Sequence, residues 1–238
     1  SAHIDVPQFP AQPALTAPVD TTVVGKEAPM LFMGWRAEPS NSQQIDTLEI
    51  VAQLLSNGQA GLFDLDLSQK MKVQEIEAGV TDMNDYSVFY VYGQSKSGQT
   101  LQEVRSLALD EIEKLKKGNF SDDLLPSIVN NYKRYYYKQL DNNQFRAKQY
   151  VEAFINHKDW KKEVDKLNRI SKLTKAEIVK FANQFFRNDF ACVYKEQGND
   201  TTIKKVEKPT ITPIPTNNDK QSDFLKEIVN TKTTPIQP

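Results

Sequence analysis

The stretch from Pro29 to Leu67 changes its hydrophobic period once, from two to 3.6, and that change dictates the kind of unit the chain can build. Met30 to Trp35 reads as a strand set off by Gly25 and Pro29. Beyond Pro39, Ile45, Leu48, Ala52 and Leu55 fall at i, i+3, i+7 and i+10, one face of a helix. Ser40 with Gln43 offers a capping-box start to that helix, and Asn57-Gly58 offers a left-handed stop. Residues Asn57-Gly58-Gln59-Ala60-Gly61-Leu62-Phe63 then break the chain before a second short helix.

The remaining elements follow from the same two periods. Thr21 to Val24 suits a short strand, and Lys72 to Val80 with Tyr86 to Gly93 reads as a β-hairpin joined through Thr81-Asp82-Met83-Asn84-Asp85. Glu75, Glu77, Asp82 and Asp85 fit the outward-facing acids of such a hairpin better than a carboxylate site. Thr100 with Glu103 forms a capping box for a helix that Gly118 closes, and Ser121-Asp122-Asp123 caps the next one. Further helices are predicted over 142–156, 160–170 and 175–186, the last started by Thr174 and Glu177, with a strand from Phe190 to Lys195. The order strand, helix, two strands, helices, strand is the split βαβ pattern. The expected fold class is therefore α/β (α+β), a two-layer sandwich that is ferredoxin-like with added helices covering one sheet face.

Three segments carry a resemblance: Gly34-Trp35-Arg36-Ala37-Glu38-Pro39, Gly58-Gln59-Ala60-Gly61-Leu62-Phe63, and Lys117-Gly118-Asn119-Phe120-Ser121 ahead of a helix. In this order, over about Pro29 to Glu196, they resemble the non-catalytic second repeat of the pitrilysin and insulinase zinc metallopeptidases. The resemblance implies the metallopeptidase-repeat architecture shared with processing peptidases. It also implies a chamber enclosing unfolded peptides, with other repeats of the same chain and a peptide substrate as partners. By the same resemblance, zinc and hydrolysis belong to a catalytic repeat before Ser1, with more repeats after Pro238, and bacterial relatives are often periplasmic. The segment following the first helix would border the chamber and grip a substrate end as an added β-strand. The matching positions here are Leu55, Ser56, Asn57, Gly58, Gln59 and Gly61, although the same glycines serve equally to stop one helix and begin another. The rival readings are a catalytically dead scaffold or assembly subunit of the same fold and a free-standing regulatory domain that binds a small ligand.

The active repeat of that family carries H-x-x-E-H on a helix, which aims two imidazoles and a general-base glutamate from one face. Here the histidines are His3 and His157 and the single cysteine is Cys192, none at the required spacing. A catalytic zinc needs three protein ligands besides its water. The expectation is no catalytic residue, no metal ligand and no cofactor in this chain. His157 reads as a polar residue near a helix end.

Composition narrows the remaining classes. At 238 residues with 39% hydrophobic and 26% charged content, the chain has a core to bury. Its 30 basic residues nearly balance 31 acidic ones, which gives nucleic acid no broad electrostatic footprint. No run of eighteen apolar residues is present, and Ser1 to Pro18 has no basic n-region, so neither a membrane span nor a signal peptide is read. Tyr132-Lys133-Arg134-Tyr135-Tyr136-Tyr137-Lys138 mixes bases and rings as single-strand binders do, but Tyr132, Tyr135 and Tyr136 continue the stripe of Leu125 and Ile128, which predicts packing instead. The expected layout is a Pro-rich leader over 1–19, the repeat over 20–197, and a Pro/Thr/Lys-rich linker over 198–238 with a short helix near 222–229. Within that linker, Lys208-Pro209-Thr210-Ile211-Thr212-Pro213-Ile214-Pro215 resembles the connector between halves of four-repeat family members.

Overall fold

The computed structural model describes residues 10–202, 206–213 and 220–232. The chain divides into two units, one ending at Asp200 and one beginning at Thr201. In the first unit, strands β1 (Val19–Gly25), β2 (Met30–Ala37), β3 (Glu75–Thr81), β4 (Ser87–Gln94) and β5 (Ala191–Gln197) form one sheet in the order β1-β5-β2-β4-β3. β1 and β5 run parallel, and the other pairs are antiparallel. Leaving β1 aside, this is the split βαβ order that the sequence predicts, with β1 added as an outer strand.

Helices α1 (Gln44–Leu55), α2 (Leu101–Lys116) and α6 (Lys175–Phe185) belong to the layer on one face of the sheet. Alternation in the strands explains the choice of face. Leu31, Met33, Trp35 and Ala37 of β2, Phe89 and Val91 of β4, and Cys192 and Tyr194 of β5 all point into the core. Trp35 sits at its centre, its ring 5.3 Å from Phe186 and 4.8 Å from Phe190. Its Nε1 donates to the carbonyl of Arg187 at 3.2 Å. Leu48, Val51, Leu54 and Leu55 close the core from α1, each with no exposed surface. Truncating one of these leucines to alanine would cost about 2–5 kcal/mol through lost burial and the cavity left behind.

Between α2 and α6 lie α3 (Leu124–Leu140), α4 (Asn143–Ile155) and α5 (Trp160–Ser171), a helical lobe joined to the core by α3 and α5. A charged clasp makes part of that junction. Lys166 Nζ on α5 lies 2.8 Å from Glu49 and 3.4 Å from Asp46 on α1, and Arg169 lies 2.6 Å from Asp46. Burial alone would lower the Lys166 pKa, but the Glu49 carboxylate, with Tyr132 and Asp46, outweighs it and holds the ammonium above the ordinary lysine range.

Both capping boxes at Thr100/Glu103 and Thr174/Glu177 form as the sequence predicts. The one at Ser40/Gln43 does not. Gln43 is the N-cap residue and makes no side-chain cap bond, while Ser42 Oγ accepts from Gln44 N and the buried Ser40 Oγ has no hydrogen-bond partner. Ser40 has been drawn inward by its backbone, whose N–H donates to Met83 at 2.9 Å. Helix α1 also stops at Leu55, before Asn57-Gly58, and the short helix after Gly61 is a π-helical turn over Asp64–Ser68.

The tyrosine stripe departs at one residue. Tyr132 reaches the core margin and Tyr136 is half-buried against Phe145, but Tyr135 is 62% exposed, on a helix that packs against α1, α4 and α5. In the second unit, α7 (Asp223–Asn230) is capped by Ser222 Oγ and exposes Phe224, Leu225, Ile228 and Val229. Ile214 and Pro215 of the connector, and His3, lie outside the described residues.

Candidate functional site

Leu55 to Gly61 is the turn between α1 and the π-helical segment, and both flanking elements pack against β3. Its geometry is set by one carboxylate. Asp64 Oδ2 accepts from the backbone N–H of Asn57 at 2.8 Å, Gln59 at 3.2 Å and Gly61 at 2.9 Å. Asn57 Oδ1 accepts from Gln59 and Ala60. With the Ser56 N–H donating to Ala52, five of the six backbone N–H groups from Ser56 to Gly61 are bonded within the chain. Leu55 and Gly61 are buried, and Gly58, Gln59 and Ala60 form the exposed tip.

The two glycines have separate causes. Gly58 adopts φ +78 in open space, the left-handed conformation that redirects the chain at the tip of the turn. At Gly61, a Cβ would run into the Leu55 carbonyl and the Ser56 nitrogen. Of the six candidate residues, the structure thus assigns Leu55 to the core and Gly61 to a close backbone approach. The surface around Asn57, Gly58 and Gln59 remains accessible. Asp64, the organiser of the whole turn, is the residue that sequence reasoning missed. An aspartate three residues after a glycine, at the head of a helical turn, was its only signal.

β3 beside this turn is an edge strand. Glu75 and Glu77 are exposed on it, and Ile76 turns inward, so the charge-lined edge expected for the hairpin is present. Below the turn, Lys114 Nζ bridges Asp66 at 2.6 Å and Glu111 at 2.9 Å. The Lys114 and Lys70 contacts lower the Asp66 pKa to about 2. Burial raises that of Glu111, against the pull of Lys114.

The Gly34-to-Pro39 segment that carries part of the family resemblance has structural work to do. Gly34 leaves room for Val88, whose Cγ1 would stand 3.2 Å from a Cβ. Arg36, on the open face of the sheet, donates to the Gln12 carbonyl at 3.0 Å and lies over the Tyr86 ring at 4.8 Å. These residues line a groove of about 840 Å³ that also takes in Phe32, Val88 and Val193. Phe32 stacks on Tyr90 with ring centroids 5.4 Å apart and remains 42% exposed. A smaller pocket of about 180 Å³ lies among Tyr132, Tyr135, Tyr136, Phe145 and Trp160 in the helical lobe.

The candidate ligands do not fit a catalytic zinc. His157 occupies the position after α4 with φ +51, a helix-ending role, and its side chain is exposed. Cys192 is buried in β5, where burial pushes its thiol pKa up, away from the thiolate a metal requires. Among the described residues, no group of three histidine, cysteine, aspartate or glutamate side chains is placed to hold a metal ion. None of the helices described is long and apolar enough to cross a membrane.

Comparison with known proteins agrees with this architecture. The fold is similar to a protease from Helicobacter pylori, with TM-score 0.73, 17% identity, and coverage of 81% of this chain and 48% of that one. It is similar to a peptidase M16 inactive domain from Pseudomonas fluorescens, with TM-score 0.67, 12% identity, and coverage of 79% and 46%. A chain of Complex III2 from Candida albicans, Inz-5 bound, has TM-score 0.61 and 12% identity, with coverage of 74% and 45%. The chain thus spans about half the length of the first two structures it matches. No curated protein sequence matches it. Residues 2–132 match the model of the family described as the peptidase M16 inactive domain, and the chain accordingly belongs to that family.

Proposed function

We propose that this chain is the non-catalytic wall of a peptide-enclosing zinc metalloendopeptidase, paired through its open sheet face with a repeat that supplies zinc and hydrolysis. The observation that carries the pairing is the Phe32–Tyr90 face. Across β2, β4 and β5 it presents stacked rings and valines, and its charges, Glu75, Glu77 and Arg36, stand toward the margins of that strip. Arg36 is held at the margin of that face by the leader, which keeps its charge off the apolar strip.

Substrate holding would use the exposed turn at Asn57, Gly58 and Gln59 together with the free edge of β3. Because the turn's own N–H groups are engaged by Asp64 and Asn57, main-chain pairing with an extended peptide falls to β3. Such a contact would act on the reaction by positioning the peptide. The test is reconstitution. The isolated chain is expected to bind zinc no better than micromolar and to cleave no peptide, and adding the neighbouring catalytic repeat is expected to produce cleavage. Phe32→Lys should abolish that gain while leaving the isolated chain folded. Chelator-sensitive cleavage by the chain alone would refute the reading.

The rival reading, a scaffold subunit without peptidase activity, draws support from the fold likeness to the Complex III2 chain. A parent sequence lacking H-x-x-E-H would favour it.

A further inference from the structure

Helix α4 carries its hydrophobic stripe on the wrong side for a core helix. Ala147, Tyr150, Val151 and Phe154 recur at i, i+3, i+4 and i+7, with Ile155 alongside, and all five are exposed. Phe154 is 84% exposed and Tyr150 59%, whereas Ala153 is the one α4 residue that is buried. An amphipathic stripe normally turns toward the interior, but this one, apart from the stack of Tyr150 on Trp160, points away from it. At about 100° per residue, Arg146 and Lys148 fall on the two flanks of the stripe, and both are exposed. Trp160, at the start of α5, stacks on Tyr150 at 4.3 Å and extends the apolar surface, with Lys161 and Val164 exposed beside it.

Charge is segregated in the same way. Residues 124–172, which contain α3, α4 and α5, hold eleven lysines and arginines against five acids, a net of +6, and the rest of the chain carries −7. Lys158, Lys166 and Arg169 pair with Asp82, Glu49 and Asp46 outside that stretch, which leaves eight cations against five acids, a net of +3, on the lobe itself. A basic lobe on a chain of near-zero total charge is a reason to look for an anionic partner there.

We propose that the α4–α5 surface is a docking site for an anionic lipid surface, with Val151, Phe154 and Ile155 entering the acyl boundary, Tyr150 and Trp160 at headgroup level, and Arg146, Lys148 and Lys161 against the lipid phosphates. A helix of thirteen residues is about 20 Å long, too short to span a bilayer, so α4 would lie in the interfacial plane. Exposed aliphatic side chains select hydrocarbon over nucleic acid, which stacks on rings and has no use for Val151 or Ile155. The inference is independent of the proposed pairing, which uses the opposite layer of the domain.

The test is flotation of the 238-residue chain with vesicles of phosphatidylcholine alone or mixed with phosphatidylglycerol, together with its tryptophan emission. Trp35 is buried, so a blue shift reports Trp160. Partition is expected to be at least about tenfold stronger on the anionic vesicles and to weaken with salt. Val151→Ser with Phe154→Ser should reduce it by about tenfold or more, with an unchanged circular dichroism melt because both residues are surface-exposed. Equal partition to neutral vesicles, or none to either, would overturn the proposal. So would tighter binding to single-stranded DNA or polyglutamate than to vesicles, or a lipid-free dimer that the double variant converts to monomer.

Discussion

Asp64 Oδ2 lies 2.9 Å from the amide nitrogen of Gly61, at a position where the Leu55 carbonyl leaves no space for a β-carbon. The carboxylate and the glycine are two parts of one device: the close approach brings three backbone N–H groups within reach of a single oxygen. Asp64→Ala would orphan donors in a partly buried turn and is expected to lower unfolding stability by about 2–3 kcal/mol. Gly61→Ala should be comparably damaging. Gly58→Ala, strained by φ alone, should cost about 1 kcal/mol. Chemical denaturation of the three variants measures this order, and equal losses at Gly58 and Gly61 would contradict it.

The Asp66 carboxylate contributes a pH-dependent increment. Its folded pKa of about 2 lies below the ordinary 3.8, so the increment is fully present above pH 4 and is lost as pH falls toward 2. Asp66→Asn should therefore cost about 1–2 kcal/mol at pH 7, roughly 2–7 °C in Tm, and progressively less below pH 4. Thermal melts across that range decide it, and a gap independent of pH would show that the ion pair with Lys114 is inert.

Removing the lysine of the α1–α5 clasp has a different signature. Lys166→Met leaves Glu49 and Asp46 with one cation, Arg169, and is expected to cost about 3 kcal/mol. Adding Glu49→Gln to Lys166→Met should recover part of the loss, because the neutral side chain no longer needs a counter-charge. A double variant as unstable as the sum of the singles would mean that the groups act separately.

On the sheet's open face, Phe32→Lys is expected to cost the isolated chain only about 1 kcal/mol, since the side chain is 42% exposed and loses chiefly its stack on Tyr90. Its effect should appear in association with a catalytic repeat, measured by calorimetry, and unchanged affinity would exclude this face from the interface.

The sequence made the sheet and its helical layer legible because strands and capped helices announce themselves locally. Thr100/Glu103 and Thr174/Glu177 satisfy donors within four residues, and no distant contact competes with them. Ser40/Gln43 has the same spacing but fails, because Met83 and the wall of the core claim Ser40 from outside the helix. The Tyr132-Tyr135-Tyr136 stripe was legible as a stripe, but which of its rings α1, α4 and α5 would cover was not. The outward face of α4 was invisible for the same reason, since periodicity gives a stripe no direction. In the candidate turn, the glycines could be read from sequence, while Asp64 required the folded path that returns it beneath Asn57, Gln59 and Gly61.

The parallel pairing of β1 with β5 sets Val19 opposite Ala191 and Gly25 opposite Gln197. Since both strands travel the same way side by side, the chain begins β1 at one pole of the sheet and finishes β5 at the other, about 20 Å on. The first and last strands thus close the sheet with a seam made by residues about 170 positions apart in sequence, so this edge can form only after everything between them has been threaded into place.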